Sequence, residues 1–163
     1  MKIRMIGLLL VALLLSGCGA TETFETVADV PVAGTPADHR AVSLALPDGA
    51  STPVSDSEYG MLYLCDGYEI TVQTMDGGDL ERTIRAVSGY DRDDLTVMQT
   101  QTQGFERYDF VWAAAGEDAQ QIARAAVIDD GFYHYVLTAQ ADASDASNLR
   151  STWNGIFASF ALG

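Results

Sequence analysis

The sequence YGMLYLCDGYEITVQT, Tyr59–Thr74, carries the clearest structural signal in the chain. Asp66-Gly67 has the composition of a two-residue type I′ turn, and the residues on both sides of it alternate as in antiparallel strands. Pairing across that turn places six side chains on one face of a hairpin: Met61, Tyr63, Cys65, Tyr68, Ile70 and Val72. The opposite face carries Leu62 and Leu64 against polar partners, so it is half apolar.

A second Asp-Gly pair, Asp130-Gly131, separates the strand-like segment Gln120–Asp129 from FYHYVLTAQ, Phe132–Gln140. A two-residue turn here predicts that Ile128 pairs with Tyr133, Ala126 with Tyr135, Val127 with His134 and Ala125 with Val136. Apolar side chains again occupy both faces. Because a free-standing antiparallel sheet keeps one polar face, this pattern indicates a sheet that is covered on both sides.

Two segments with helical spacing can provide the cover. Asp79 can cap a short helix, LERTIRAVSG, that ends at Gly89 and carries an apolar stripe. A second helix is predicted over Ala146–Ala161, with its stripe formed by Leu149, Trp153, Ile156, Phe157 and Phe160. Further strands are predicted over Ala41–Pro47, Leu95–Gln101 and Phe105–Ala115. The predicted fold class is α+β, an antiparallel sheet with helices packed on its faces.

The order of hairpin, helix, meander and terminal helix resembles the PsbP-like, Mog-type α/β/α sandwich. Bacterial lipoproteins with this layout often close on a pattern that appears here as Trp153, Ile156, Phe157, Ser159 and Phe160. The likeness covers residues 41–163, and its motif is a packing signature. It implies a binding or assembly role by analogy only, and no functional residue can be carried over from it.

The N-terminus has the composition of a secretory signal. Lys2 and Arg4 precede an apolar run, Met5–Leu15, that is too short to span a hydrocarbon core of about 30 Å. Leu15-Ser16-Gly17-Cys18 then resembles the bacterial lipobox. We therefore expect residues 1–17 to be a signal peptide and Cys18 to carry lipid, which anchors the protein at the extracytoplasmic face of the cell membrane. An ordinary signal peptide followed by an unmodified cysteine is the alternative.

Residues 18–40 lack any sustained periodicity and contain Pro31, Gly34 and Pro36. This composition predicts a flexible tether between the lipid and a single domain over residues 41–163. The alternative is that part of the segment, such as Thr23–Val30, packs on the domain.

The charge of the chain limits its partners. The 163 residues carry a net charge of −14, and loss of residues 1–17 would leave seven arginines against 23 acidic residues. Such a surface repels phosphate backbones, so no nucleic-acid partner is expected. Besides the membrane held through Cys18, an envelope protein or a glycan remains as a partner.

No catalytic residue is assigned. His39 lies in the predicted tether, and His134 is expected to be a structural or half-exposed strand residue. Cys65 is expected to be a buried thiol beside Asp66, a neighbour that raises rather than lowers a thiol pKa. The sequence contains no GxSxG, HExxH or GxxxxGK[ST] motif.

No metal or cofactor is assigned either. The acidic segment Tyr90–Asp94 lacks the glycine and the ligand spacing of an EF-hand loop, because Leu95 and Thr96 occupy the fifth and sixth places. A solvated loop is the favoured interpretation. The aromatic run that begins at Phe132 could bind a sugar or a peptide by stacking, but cross-strand packing explains the same alternation.

These observations favour a membrane-anchored extracytoplasmic lipoprotein with a non-catalytic binding or assembly role at the cell envelope. Two alternatives stay open at this stage. One is an envelope hydrolase whose catalytic residues are scattered in sequence, with His134 or Cys65 meeting carboxylates in a cleft. The other is a sensor of a small ligand or a cation.

Overall fold

The computed structural model describes residues 24–27, 39–50, 52–57, 60–116 and 120–163. Within these ranges lie ten strands and two α-helices. The strands are β1 (Phe24–Val27), β2 (Val42–Pro47), β3 (Ser55–Ser57), β4 (Gly60–Cys65), β5 (Tyr68–Asp76), β6 (Met98–Thr102), β7 (Phe105–Ala114), β8 (Gln121–Asp129), β9 (Tyr133–Asp142) and β10 (Ala161–Leu162). The helices are α1 (Leu80–Ser88) and α2 (Ala146–Ser159).

The main sheet has seven antiparallel strands in the order β3-β4-β5-β9-β8-β7-β6. A small second sheet has the order β1-β2-β10. The β4–β5 hairpin has the predicted register, with Cys65 opposite Tyr68 and Met61 opposite Val72. Five of the six side chains predicted to share a face are buried, and Cys65 packs against the same core.

The turn between β8 and β9 differs from the prediction. Ile128 pairs with Tyr135 rather than with Tyr133, so four residues instead of two separate the last pair of the two strands, Asp129 and His134. The Asp130 side chain is the cause, because its carboxylate accepts the main-chain N–H groups of Phe132 and Tyr133 at 2.9 and 2.8 Å. The register moves by two residues, and since strand faces repeat every second residue, each side chain keeps its predicted face.

Both faces of the main sheet are covered, and each cover has its own core. On one face, α2 and β2 pack over side chains of β4, β5, β8 and β9; this core includes Leu44, Tyr63, Ile70, Leu137 and Phe157. On the other face, α1 packs over β7, β8 and β9; this core includes Ile84, Phe110, Trp112, Ala125 and Val136. The predicted α+β class, an antiparallel sheet with helices on its faces, is confirmed.

The helix ends follow the chemistry read from the sequence. The Asp79 carboxylate accepts the N–H of Arg82 at 3.0 Å, and Gly89 ends α1 in the left-handed conformation with φ of 79°. Helix α2 ends at Ser159, two residues before its predicted end at Ala161, and the predicted stripe packs in the first core with Phe160 just beyond the helix. The predicted strand Leu95–Gln101 begins later, at Met98, because Leu95 and Val97 pack against the second core instead.

Most of the features predicted for the N-terminal part of the chain lie outside the described residues. Cys18 and the signal peptide lie outside them, as does most of the predicted tether. Phe24–Val27, within that tether, forms β1 and pairs with β2. In the described part of the chain, neither helix has the length and apolar character needed to cross a bilayer.

Candidate functional site

A groove of about 450 Å³ lies where the β8–β9 loop meets the segment just before β2. It is lined by Arg40, Asp130, Phe132 and Tyr133. Arg40 comes just before β2, and the other three belong to the loop. The groove therefore combines a cation, a carboxylate and two aromatic rings.

The loop is held in shape by its own polar groups and by one glycine. Asp129 Oδ1 accepts the N–H of Gly131 at 2.7 Å, and Gly131 has φ of 90°. Gly77 donates its N–H to the Phe132 carbonyl at 2.9 Å. A Cβ on Gly77 would lie 2.6 Å from that carbonyl oxygen, so only glycine permits this approach. The main chain is thus fixed on both sides of Phe132, whose side chain is 80% exposed.

A hydrogen-bonded network lies under the groove. The Tyr135 hydroxyl accepts the N–H of Arg40 at 2.7 Å and donates to Asp130 Oδ2 at 2.9 Å. The Arg40 guanidinium lies 3.6 Å from the same carboxylate oxygen and 4.9 Å from the centre of the Phe105 ring. The network joins the segment just before β2 to the β8–β9 loop.

Two of these groups have shifted pKa values. Burial and the hydrogen bond to Asp130 raise the pKa of Tyr135 to about 12, so its hydroxyl stays protonated and can donate. Burial opposes ionisation of Asp130, but the N–H groups of Tyr133 and Phe132 and the Tyr135 hydroxyl stabilise its carboxylate. The pKa of Asp130 is therefore held below its ordinary value.

This arrangement can bind through its aromatic and cationic surfaces. The Asp130 carboxylate is already occupied by loop N–H groups, Tyr135 and Arg40, whereas the Phe132 ring faces solvent. An exposed ring fixed on a rigid loop can stack on a sugar or contact a peptide with little loss of conformational freedom. Arg40 beside it can pair with an anionic or carbonyl oxygen.

The sequence left open whether the aromatic run that begins at Phe132 packs in the core or is available to a ligand. Tyr135 and His134 are buried on opposite faces of the sheet, so cross-strand and core packing accounts for them. Tyr133 is half-buried and meets the Tyr135 ring edge-on at 6.4 Å. Only Phe132, at the start of the run, points outward.

His134 lies in β9 and is buried rather than half-exposed. It is 1% exposed, its Nδ1 lies 2.6 Å from Thr83 Oγ1 on α1, and its Nε2 lies 3.6 Å from Asp129 Oδ2. Thr83 is also buried. The three groups thus meet beneath α1 and not in an open cleft of the kind that the hydrolase alternative requires.

The remaining candidates lie elsewhere. Cys65 is half-buried against the first core, and His39 Nδ1 contacts the Arg40 carbonyl at 3.1 Å. In the acidic segment Tyr90–Asp94, Asp91 forms an exposed ion pair with Arg85. Across the described residues, no three His, Cys, Asp or Glu side chains are placed to hold one metal ion.

Sequence reasoning missed Arg40, which it placed at the end of the tether, and a second polar cluster under α2. In that cluster Asp109 accepts two hydrogen bonds from Arg107, at 2.7 and 3.1 Å, and one from Arg124 at 3.3 Å. Arg107 also donates to the Phe157 carbonyl at 2.9 Å. Alternation of arginine and aspartate in β7 was the available signal, but it does not show which neighbours the strand faces.

Comparison with known proteins places the fold. CyanoP, the PsbP of the cyanobacterium Synechocystis, has a TM-score of 0.57 at 11% identity, over 91% of this chain and 99% of its own. Mog1p, a Ran-binding protein of Saccharomyces cerevisiae, has a TM-score of 0.55 at 12% identity, over 87% and 96%. The chain therefore has the α+β fold of the PsbP and Mog-type proteins, as the resemblance implied; at these identities the likeness shows the fold alone.

A third solved structure is less similar to this chain. LpqN of Mycobacterium tuberculosis, which is involved in cell envelope biogenesis, has a TM-score of only 0.45 at 15% identity, over 88% of this chain and 87% of its own. No protein-family model matches the chain, and no curated protein matches it.

Proposed function

We propose that this protein is a lipid-anchored extracytoplasmic lipoprotein whose domain binds another component of the cell envelope without catalysing a reaction. The anchor is Cys18, and the binding surface is the groove formed by Arg40, Asp130, Phe132 and Tyr133. The partner is an envelope protein or a glycan that offers a flat face or an apolar side chain to the exposed ring.

Support for the anchor comes from the sequence. A short basic region and an eleven-residue apolar run end at Leu15-Ser16-Gly17-Cys18, where small residues precede the cysteine. Two or three acyl chains attached at Cys18 would hold the protein stably at the membrane. A PsbP-like fold is compatible with this location but does not require it.

The observation that carries the binding role is the exposure of Phe132 on a loop that is otherwise fully constrained. Its neighbours Asp130 and Tyr133 are tied to each other by main-chain and side-chain bonds, and Gly77 holds the Phe132 carbonyl. It is favourable for a partner to cover this exposed ring, because contact removes its apolar surface from water. We infer that a partner does.

The anchor is tested by metabolic labelling with a fatty-acid analogue. The full-length protein should take up the label, and Cys18→Ala should not. If the wild-type protein stays unlabelled, the anchor is refuted while the groove remains open to its own test.

The groove is tested by cross-linking and affinity capture from detergent-solubilised native envelopes. A partner should be recovered with the wild-type protein and with Leu64→Ala, an exposed apolar residue on β4, and lost with Phe132→Ala. In parallel, the three proteins are titrated with purified peptidoglycan fragments. Equal recovery by all three proteins, with no binding difference among them, would exclude the groove as the binding surface.

A further inference from the structure

Strand β6, Met98–Thr102, is an open edge of the main sheet. Among the described strands its only neighbour is β7, and four of its five residues are exposed. Met98, the one large apolar residue of the strand, has 61% of its surface exposed. The opposite edge strand, β3, has three residues and is too short to offer a comparable surface.

The register shows which main-chain groups of β6 face outward. Gln103 and Gly104 join β6 to β7 with φ of 52° and 86°, the signs required by a type I′ turn. Such a turn closes on a hydrogen-bonded pair, here Thr102 and Phe105. Because hydrogen-bonded and non-hydrogen-bonded pairs alternate, the N–H and C=O groups of Gln99 and Gln101 point away from β7.

This edge lacks the features that usually prevent strand pairing. The five β6–β7 pairs are consecutive, so no bulge twists the edge away, and the strand contains no proline, lysine or inward-pointing charge. The whole segment from Leu95 to Phe105 is uncharged in a chain of net charge −14. An edge left open in this way is suited to receive another strand.

The charged groups around β6 determine which charge an added strand should carry. Glu106 lies beside β6 on the next strand and accepts hydrogen bonds from the side chains of Gln99 and Gln101, at 2.8 and 2.9 Å. The hydrogen bonds from Gln101 and Gln99 lower the pKa of Glu106, which therefore stays ionised. Asp93 and Asp94, a few residues before β6, are also exposed and outweigh the adjacent Arg92. A second copy of this chain would bring the same acidic groups to the edge, whereas a basic segment would neutralise them.

We propose that β6 binds an extended basic segment of a partner protein, which joins the main sheet as an additional strand. Main-chain bonds to Gln99 and Gln101 provide the attachment. Lysine or arginine side chains at alternate positions meet Glu106 on one face, and an apolar side chain on the other face covers Met98. This surface is distinct from the groove, and the inference goes beyond the function proposed above.

The test uses the full-length protein in detergent and three labelled, end-blocked peptides, followed by fluorescence anisotropy at low salt. The first peptide alternates lysine and valine. The second has the same sequence with N-methyl groups on the N–H groups that would face β6, and the third replaces lysine with glutamate. Only the first should bind, and added salt should weaken its binding.

Two variants at position 101 distinguish the contribution of the main-chain N–H to peptide binding from that of the side chain. Gln101→Pro removes an outward N–H without removing a bond to β7, and should weaken binding of the lysine peptide roughly fivefold or more. Gln101→Ala keeps that N–H. It should bind within about twofold of wild type, because the peptide is held by the main-chain groups of residue 101 and not by its side chain. Phe132→Ala should bind the lysine peptide as well as wild type does.

Binding of the N-methylated or the glutamate peptide with equal affinity would overturn the proposal, as would equal binding by Gln101→Pro. A concentration-dependent dimer in sedimentation that Gln101→Pro abolishes would assign the edge to a second copy of the chain and would also overturn it.

Discussion

The hydroxyl of Tyr135 lies 2.9 Å from Oδ2 of Asp130 and donates its proton to that carboxylate. The same hydroxyl accepts the main-chain N–H of Arg40. One buried side chain of β9 thus fixes both the loop that presents Phe132 and the chain that enters β2.

Tyr135→Phe should lower the free energy of unfolding by about 1–3 kcal/mol, because it leaves the part-buried N–H of Arg40 and a buried carboxylate oxygen of Asp130 without this partner. Urea unfolding followed by circular dichroism measures the change. Tyr108→Phe is the matched control, since the described residues place no hydrogen bond on the Tyr108 hydroxyl. Equal stability of the two variants would show that the network contributes nothing to the fold.

The Asp130 carboxylate should make stability depend on pH in acid. The pKa of Asp130 in the folded state is below its ordinary value of about 4. The carboxylate therefore contributes its full stabilisation to the fold above about pH 4. This stabilisation is lost as the pH falls through the lowered pKa of the folded state. The difference in unfolding free energy between wild type and Asp130→Asn should therefore shrink between about pH 5 and pH 2. A difference that grows on acidification would contradict the assigned direction.

Asp109 and Asp91 should differ sharply in what they contribute to stability. The Arg107–Asp109 pair is closed in under α2, with both side chains 11% exposed, whereas the Arg85–Asp91 pair is solvent-exposed. Asp109→Ala leaves a buried guanidinium without its carboxylate and should cost about 3–5 kcal/mol. Asp91→Ala should cost at most about 1 kcal/mol. Parallel urea titrations compare the two, and similar costs would refute the contrast.

Gly77→Ala should be more damaging than Gly78→Ala. The added Cβ at Gly77 would meet main-chain atoms of Phe132 and Tyr133 at 2.6–2.9 Å, which forces the β8–β9 loop to move. At Gly78 the space is open, and only the φ of 89° is unfavourable, at about 1 kcal/mol. Thermal unfolding ranks the two, and fluorescence of the aromatic loop should change only in Gly77→Ala.

Local chemistry explains why much of the fold was predictable. Asp66-Gly67 between alternating residues specified one hairpin register, and Asp79 with Gly89 specified both ends of α1. The apolar residues on both faces of β4, β8 and β9 predicted that the sheet is covered on both sides, since each face needs a helix or a strand to bury its apolar residues. Periodicity and capping are short-range signals, and they were sufficient here.

The groove and the polar cluster were not predictable, because they depend on contacts between distant segments. Arg40 and Tyr135 meet only after β2 has folded over the sheet. Asp130-Gly131 suggested a two-residue turn, but Asp130 instead binds the N–H groups two and three residues ahead and widens the loop. The hydrogen bond from Arg107 to the Phe157 carbonyl likewise joins residues 50 positions apart in the chain, beyond the range of local sequence patterns.

The pairing of β10 with β2 sets an order of events during production of the chain. A polypeptide that is made, or threaded through a membrane, from its N-terminus delivers β2 before β10. At typical translation rates the interval between them is on the order of ten seconds. For that time the edge of β2 that later receives β10 has no native partner and is open to other strands.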